Sequence, residues 1–249
     1  MKHRMGIVLL AATMVATLAA CGSDGEPAAN SSSAAGTPDK VTTGVIPIVD
    51  VAPIYLGKEK GFFSKRNIDL DLQTAQGGAA IVPAVVSGQY QFGFSNVVSL
   101  MLAQSRNVPV KVVSNGNNST GDAAKDFGGI VVKDPAITSA KLLEGKKVAT
   151  NTLKNIVDTS VKHIVKKDGG DPSKVSFVEL AFPDMAAALD AGRVDAMFVV
   201  EPFLTDAVKR GWRVIGSYAD VHPNLCVALY FTSTQLATSN PDLVKRFTE

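Results

Sequence analysis

From Lys40 onward, short apolar runs alternate with amphipathic stretches of helical period, and glycine repeatedly closes those stretches. Val41 to Pro47 predicts a first strand, and Pro53 to Lys60 a helix stopped by Gly61, a residue favoured just past a helix end. Ile68, Leu70 and Leu72 alternate with Asp69, Asp71 and Gln73, the period of a strand with one polar face. Gln76-Gly77-Gly78-Ala79 leads into a helix carrying Ile81, Val82, Val85 and Val86 on one side and ended by Gly88, with Pro83 expected in its opening turn. Tyr90, Phe92 and Phe94 alternate as a third strand. Ser95-Asn96 then opens a helix with Val97, Leu100 and Met101 at core spacing, and Pro109 precedes a strand from Val110 to Ser114. This half of the chain reads β-α-β-α-β-α-β.

A polar stretch, Asn115 to Asp126, precedes Gly129 to Lys133, a strand expected on the crossing to a second lobe. The pattern then restarts. Strands are predicted at Lys147–Thr150, Val175–Leu180, Ala196–Val200 and Trp212–Ile215. Helices are predicted at Ile156–Lys167, at Asp184–Ala191 before Gly192, and at Pro202–Lys209 with proline at the first position. Leu225 to Phe231 is the expected second crossing, and Asn240-Pro241 caps a helix that has only begun at Glu249. Alternation of this kind is the signature of a parallel sheet wrapped by helices. The expectation is an α/β protein with two open sheets, a hinge and an interlobe cleft: lobe I at 40–128, lobe II at 129–222, and a return to lobe I at 223–249. The first lobe still needs closing helices there, so the chain reads as cut short.

The first residues are different in kind. Lys2, His3 and Arg4 precede an uncharged, mostly apolar run from Met5 to Thr17, then Leu18-Ala19-Ala20-Cys21. The run is shorter than the roughly 20 residues of a membrane span and ends in small residues, as a signal peptide does. Residues 1–20 are therefore expected to be removed, leaving a lipidated Cys21 on the extracytoplasmic face of the cell membrane, where two or more acyl chains give stable anchoring. Gly22 to Thr37, rich in Gly, Ser, Ala and Pro, has almost no bulky apolar side chain to bury, so 21–39 is expected to be a flexible linker.

Composition then narrows the function. Without Lys2 and Arg4, 23 of the 25 basic residues remain against 23 acidic ones, a balance that argues against a nucleic-acid partner. With Cys21 lipidated, Cys226 is the one thiol left, which excludes an intramolecular disulfide, and its strand-like surroundings predict burial. No His/Cys group has metal-ligand spacing, so neither a metal nor a cofactor is expected. His163 falls within an amphipathic helix and His222 in a loop, and no nucleophile, CxxC, HExxH or phosphate-loop motif accompanies them. The chain is not expected to be an enzyme.

Several motifs carry a resemblance. Gly44-Val-Ile-Pro-Ile-Val-Asp-Val-Ala-Pro-Ile-Tyr-Leu-Gly-Lys-Glu-Lys-Gly-Phe-Phe63, Gln76-Gly-Gly-Ala-Ala80, Ser87-Gly-Gln-Tyr-Gln-Phe-Gly-Phe-Ser-Asn96, Phe182-Pro-Asp-Met-Ala-Ala-Ala-Leu-Asp-Ala-Gly-Arg-Val-Asp-Ala196 and Glu201-Pro-Phe203 occur in that order. Together they resemble substrate-binding proteins of ABC importers, in the nitrate, sulfonate and taurine family, over essentially all of Lys40 to Glu249. The resemblance implies the periplasmic-binding-protein fold of type II, a small-molecule solute, an ABC permease and ATPase as partners, and a monomer. Relatives of this pattern also bind thiamine-precursor pyrimidines. A pyrimidine-forming enzyme shares the fold, but it needs clustered His and Cys residues.

Ligands of open parallel sheets bind at the carboxyl ends of strands, where loops feed helix N-termini. Four loops qualify: Ile48-Val49-Asp50-Val51, Gln76-Gly77-Gly78, Ser95-Asn96, and Asn151-Thr152-Leu153-Lys154-Asn155. Free N–H groups at such helix starts can hold an anionic or polar head. Taken singly, Ser95, Asn96 and Asn151 read as helix caps and Gly77 and Gly78 as turn residues. Acidic residues share these loops: Asp184, which reads better as charge balance for its helix, and Asp50 and Glu201, which in the cleft would suit a neutral or cationic nitrogen-containing solute. The candidate ligand set is thus Asp50, Gln76, Gly77, Gly78, Ser95, Asn96, Asn151, Thr152, Asn155 and Glu201. A surface lipoprotein that senses or docks a protein is the alternative from another class, and it predicts a closed, apolar or blocked cleft.

Overall fold

A computed structural model describes residues 36–249. The expected signal peptide (1–20), the lipidation expected at Cys21 and the expected linker as far as residue 35 lie outside them.

Strand β1 (Asp39–Val45) leads through a 3-10 turn (Val49–Val51) into α1 (Ala52–Glu59), followed by β2 (Ile68–Thr74), α2 (Gly78–Val86), β3 (Phe92–Asn96), α3 (Val97–Ser105) and β4 (Val110–Asn118). The second series is β5 (Gly128–Val132), β6 (Lys147–Thr150), α4 (Ile156–Lys167), β7 (Ser176–Glu179), α5 (Phe182–Asp190), β8 (Ala196–Val200), α6 (Phe203–Lys209), β9 (Arg213–Ser217) and α7 (Tyr218–Val221). The chain then adds β10 (Cys226–Ser233), α8 (Thr234–Ser239) and α9 (Pro241–Thr248).

The strands form two five-stranded sheets, ordered β2-β1-β3-β10-β4 and β7-β6-β8-β5-β9. In the first, β1 runs parallel to β2 and β3, while β10 is antiparallel to β3 and β4. In the second, β6 runs parallel to β7 and β8, while β5 is antiparallel to β8 and β9. The sheets are thus mixed rather than parallel. The physical reason is shared: β10 and β5 each arrive from the other lobe, so they enter their new sheet against the direction of its βαβ strands.

Each sheet has its own core. Val41, Phe92, Phe94 and Phe231 fill the first, and Ile130, Met185, Met197 and Phe198 the second, all at most 1% exposed. The strands at the centre of the second sheet are buried along their whole length, β8 among them, which is why Ala196–Val200 is uninterruptedly apolar. Helix α9 is held by Phe247, stacked on Phe92 with ring centroids 3.7 Å apart, and by Arg246, whose guanidinium meets the Asp39 carboxylate at 2.6 Å.

Four local expectations need correction. Pro83 sits in the middle of α2, not in its first turn, and is exposed, with its ring turned to solvent. Met101 is 65% exposed, because α3 turns Leu100 and Ala103 inward. Pro202 precedes α6 as its N-cap instead of occupying its first turn. Cys226 is half-buried at the start of β10. In addition, β4 continues through Asn115–Asn118, residues whose polarity marked them as a separator.

The chain passes between the sheets at 119–127 and at 218–225. These crossings are bonded to each other: Ser119 N–H donates to the Leu225 carbonyl at 2.8 Å, and Ala219 N–H donates to Asp126 Oδ2 at 2.6 Å. Asp126 also accepts from Ser119 Oγ at 2.9 Å, Thr120 N–H at 3.2 Å and Phe127 N–H at 3.1 Å. One buried carboxylate therefore organises both connections.

Candidate functional site

The carboxyl ends of β1 and β3 in the first lobe face β6, β8 and the start of α7 across a seam. A cavity of about 30 Å³ lies there, lined from the first lobe by Ile46, Ile48, Asp50, Phe94, Asn96 and Ala228, and from the second by Asn151, Val157, Phe182, Val200 and Tyr218. That volume accommodates about two water molecules, roughly 10–15 Å³ being needed for each. Its walls are mainly apolar, with Asp50, Asn96, Asn151 and Tyr218 as the polar groups at its edge.

The lobes touch around this cavity through specific bonds. Val49 N–H donates to the Glu201 carbonyl at 3.0 Å, and Asn155 Nδ2 donates to Ser99 Oγ at 2.9 Å. A Cβ on Gly77 would lie 3.0 Å from Thr152 Oγ1 and 3.3 Å from Asn151 Nδ2, so the bare glycine permits this closeness. Ile48, Val97 and Val98 of the first lobe pack on the core of the second. The arrangement is a closed one.

The four loops each contribute something, but not the same thing. Asn96 caps α3, its Oδ1 accepting from Ser99 N–H at 2.9 Å, and still lines the cavity. Asn151 is buried and also lines it. Gly78 has a packing reason: a Cβ there would fall 2.0 Å from Ser95 Oγ and 2.7 Å from Ser95 Cα, so only glycine lets α2 start against β3. Ser95 itself is fully buried, and Gln76 is exposed at the loop's outer side. Asn155 caps α4, accepting from Ile156 N–H at 2.8 Å while its amide crosses the seam to Ser99. Lys154 is exposed, with its backbone in the left-handed region at φ 53°.

The acidic residues separate clearly. Glu201's carboxylate accepts from Thr205 N–H at 3.0 Å and from Thr205 Oγ1 at 2.8 Å, in the first turn of α6, and Glu201 lines a separate 710 Å³ hollow beside α6 and β9. Asp184 is exposed in the first turn of α5. Asp50 is the acidic residue that lines the central cavity. It is half-buried, and its side chain accepts from Asn117 Nδ2 at 2.5 Å. Desolvation pushes its carboxyl up from 3.8 to about 6, against the opposing pull of the Asn117 hydrogen bond and of its own backbone N–H.

Three residues of this neighbourhood escaped the sequence reading: Asn117, Tyr218 and Tyr230. Tyr218 is 2% exposed, packed against Phe127 and Phe198, and a Cβ on Gly128 would meet its ring at 2.6 Å. Burial, with the charges of Asp50 and Asp126 added, raises its phenol well above the ordinary range. Tyr230 is raised likewise by burial, then by Asp50 and Tyr55. The signal for Asn117 was present in the chain, an asparagine at strand spacing beyond Val113, but polarity alone made it look like a loop.

Comparison with known proteins agrees with this geometry. The family model described as NMT1/THI5 like matches residues 48–249. The taurine-binding periplasmic protein of Escherichia coli is 27% identical over 214 residues, which cover 77% of this chain and 65% of that protein. The nitrate import ATP-binding protein NrtC of Synechocystis is 28% identical over 183 residues, covering 67% of this chain and 27% of that protein. This chain thus spans less than two thirds of the length of either. Among solved structures, the alkanesulfonate-binding protein SsuA of Xanthomonas axonopodis pv. citri, bound to MOPS, superimposes with a TM-score of 0.72 at 18% identity, over 85% of this chain and 71% of that one, a likeness of fold.

Proposed function

The chain belongs to the NMT1/THI5-like family, and from that premise we propose that it is the extracytoplasmic solute-binding component of an ABC importer, taking a sulfonate-, nitrate- or taurine-like solute. The observation that carries the reading is the seam itself. Two similarly built sheets aim strand ends and helix N-termini at one cavity, and among the described residues two adjacent crossings connect them. Closure by hinge motion about 119–127 and 218–225 is the motion such a layout supports.

A cavity of 30 Å³ is too small for a sulfonate, so solute enters when the lobes part. The polar bonds across the seam that must then break are few, and each neutral hydrogen bond contributes about 1 kcal/mol. A carrier that must release its cargo suits such a seam. The closed, mainly apolar seam is also what the protein-docking alternative predicts, and solute capture is favoured instead by the family match and the likeness to a taurine-binding periplasmic protein. In this reading the protein acts as a monomer, binds without turnover and is tethered through lipid on Cys21, handing its solute to a permease and its ATPase.

A thermal-shift screen of sulfonates, taurine and nitrate tests the proposal. A true ligand at one hundred times its Kd stabilises the native state by about 2.7 kcal/mol, a melting shift of several degrees. A panel of such anions that shifts nothing would overturn the reading. Loss of membrane association and of acyl-chain mass in Cys21→Ser tests the tether.

A further inference from the structure

Helix α1 ends in a sharp reversal that leaves an aromatic ring in water. Phe62 N–H donates to the Gly57 carbonyl at 2.9 Å and Gly61 N–H to the Lys58 carbonyl at 3.1 Å, with Gly61 in the left-handed region at φ 72°, the pair of bonds that closes a Schellman motif. Such a cap is commonly completed by an apolar contact between the residue after the glycine and the third residue from the helix end. Here that third residue is Gly57, which has no side chain to offer, and a Cβ on it would lie 3.2 Å from Phe63 Cε2. Phe63 packs on the core of the first lobe, its ring 5.7 Å from that of Phe247, while Phe62 is left 51% exposed. In the last turn of α1, Leu56 is 50% exposed.

Cations flank this apolar tip along the chain. Lys58, Lys60 and Lys65 are exposed and form no ion pair among the described residues, and Glu59 is the one acidic residue from Lys58 to Arg66. Lys65 Nζ lies 6.0 Å from the centroid of the Phe62 ring, and Arg66 Nη1 donates to the Phe62 carbonyl at 3.2 Å. A single exposed ring would call for no explanation. An exposed ring and leucine among these lysines have the composition of a segment that lies in the interface of an anionic bilayer. Apolar side chains enter the acyl boundary there, while lysine stems lie along it with their ammonium groups at the headgroups.

The place of the tip in the fold argues for the same occupant. The chain enters the first lobe beside it: Asn67 Nδ2 donates to the Thr37 carbonyl at 3.5 Å, and Asp39 N–H donates to the Asn67 carbonyl at 2.9 Å. From Cys21 to Asp39 is a step of 18 residues, about 60 Å at full extension, so a lipid on Cys21 keeps the tip within reach of the membrane. Strand β1 then runs from this end toward the seam, where Ile46 and Ile48 line the cavity.

We propose that the end of α1 and the turn after it, Leu56 to Lys65, form a membrane-contact surface that seats the first lobe on an anionic lipid bilayer, with the interlobe seam facing away from it. The surface is independent of the solute-binding reading. The proposed tether raises the local concentration of lipid, and the contact fixes an orientation that a tether alone does not.

Flotation of the unlipidated chain, residues 21–249, with phosphatidylcholine vesicles containing or lacking phosphatidylglycerol tests this. Each lysine near an anionic surface contributes about a fivefold factor in partitioning. The expected result is binding to the phosphatidylglycerol vesicles that weakens as salt is raised and is kept in Lys60→Arg/Lys65→Arg. It should fall at least about tenfold in Lys60→Glu/Lys65→Glu and in Phe62→Ser, with circular dichroism showing each variant folded. Equal binding to both kinds of vesicle, no binding to either, or wild-type binding by the charge-reversed chain and by Phe62→Ser overturns the inference. So does a dimer in sedimentation velocity that Phe62→Ser abolishes, which would give the face to a second copy of the chain. The assay contains no acylated protein and no solute, so its failure leaves the tether and the transport reading standing, and their failure leaves a positive flotation result standing.

Discussion

Asn155 and Ser99 join the two lobes by a single amide-to-hydroxyl hydrogen bond of 2.9 Å between buried groups, and the same asparagine caps α4 with its other atom. Its two functions are separable. Asn155→Ala removes cap and latch together and should cost about 1–2 kcal/mol in urea unfolding. Ser99→Ala removes only the latch, so its stability should stay within about 1 kcal/mol of wild type while small-angle scattering shows a larger radius of gyration. An unchanged radius in Ser99→Ala would show that the bond does not hold the lobes together.

Adjacent glycines should respond in different ways. Gly78→Ala places a methyl group against Ser95 backbone and should lower the melting temperature by several degrees. Gly77 has an extended backbone, φ −171°, so alanine fits there locally and meets only Thr152 and Asn151 across the seam. Gly77→Ala should therefore lower the melting temperature less than Gly78→Ala, because the atoms its methyl group meets are side-chain ends and not backbone. Its solute affinity should nevertheless fall, as titration calorimetry would record.

Asp126 accepts four hydrogen bonds at the crossings, from Ser119, Thr120, Phe127 and Ala219. Asp126→Ala leaves those donors buried without partners, at about 1–3 kcal/mol for each group that water does not reach. The expected outcome is a strongly lowered urea midpoint, with amide exchange accelerated first at 119–127 and 218–225. Uniform acceleration over both lobes would argue against a local hinge role.

Asp50 links stability to pH. Its folded value of about 6 lies above the unfolded one near 3.8, so the folded state prefers the protonated acid. That preference is fully present below pH 3.8 and is lost as pH rises through 6, lowering stability by up to about 3 kcal/mol. Asp50→Asn is neutral throughout. It should match the wild type at pH 4 and melt higher at pH 7.5, a difference that differential scanning calorimetry would detect. Equal melting at both values would mean that the carboxylate is well solvated.

Much of the fold was legible because its strands and helices declare themselves by period. Ile68, Leu70 and Leu72 alternate, and all of β8 is apolar; both patterns follow directly from one-sided and two-sided burial. What local pattern could not show was direction, since β10 and β5 look like their parallel neighbours until their partners are known. The same limit applied to Asn115–Asn118, polar residues of which Asn115, Asn117 and Asn118 nonetheless pair with β10. At the site, proximity of the loops was readable from topology, and Asp50, Asn96 and Asn151 do meet at one cavity. The commitment of each side chain was not. Glu201 and Asn155 have the right chemistry and the right address, but Thr205 and Ser99 already occupy their polar atoms.

The insertion of β10 between β3 and β4 has a consequence for the order in which the protein can mature. During vectorial synthesis or export, β4 emerges more than a hundred residues before β10, its one strand partner among the described residues. Until Cys226–Ser233 follows, it has no sheet to join. The first lobe is thus finished last, after the second has all its strands, and a chain interrupted between Asn118 and Cys226 carries an unpaired edge on β3 as well as on β4, which marks it for aggregation or proteolysis.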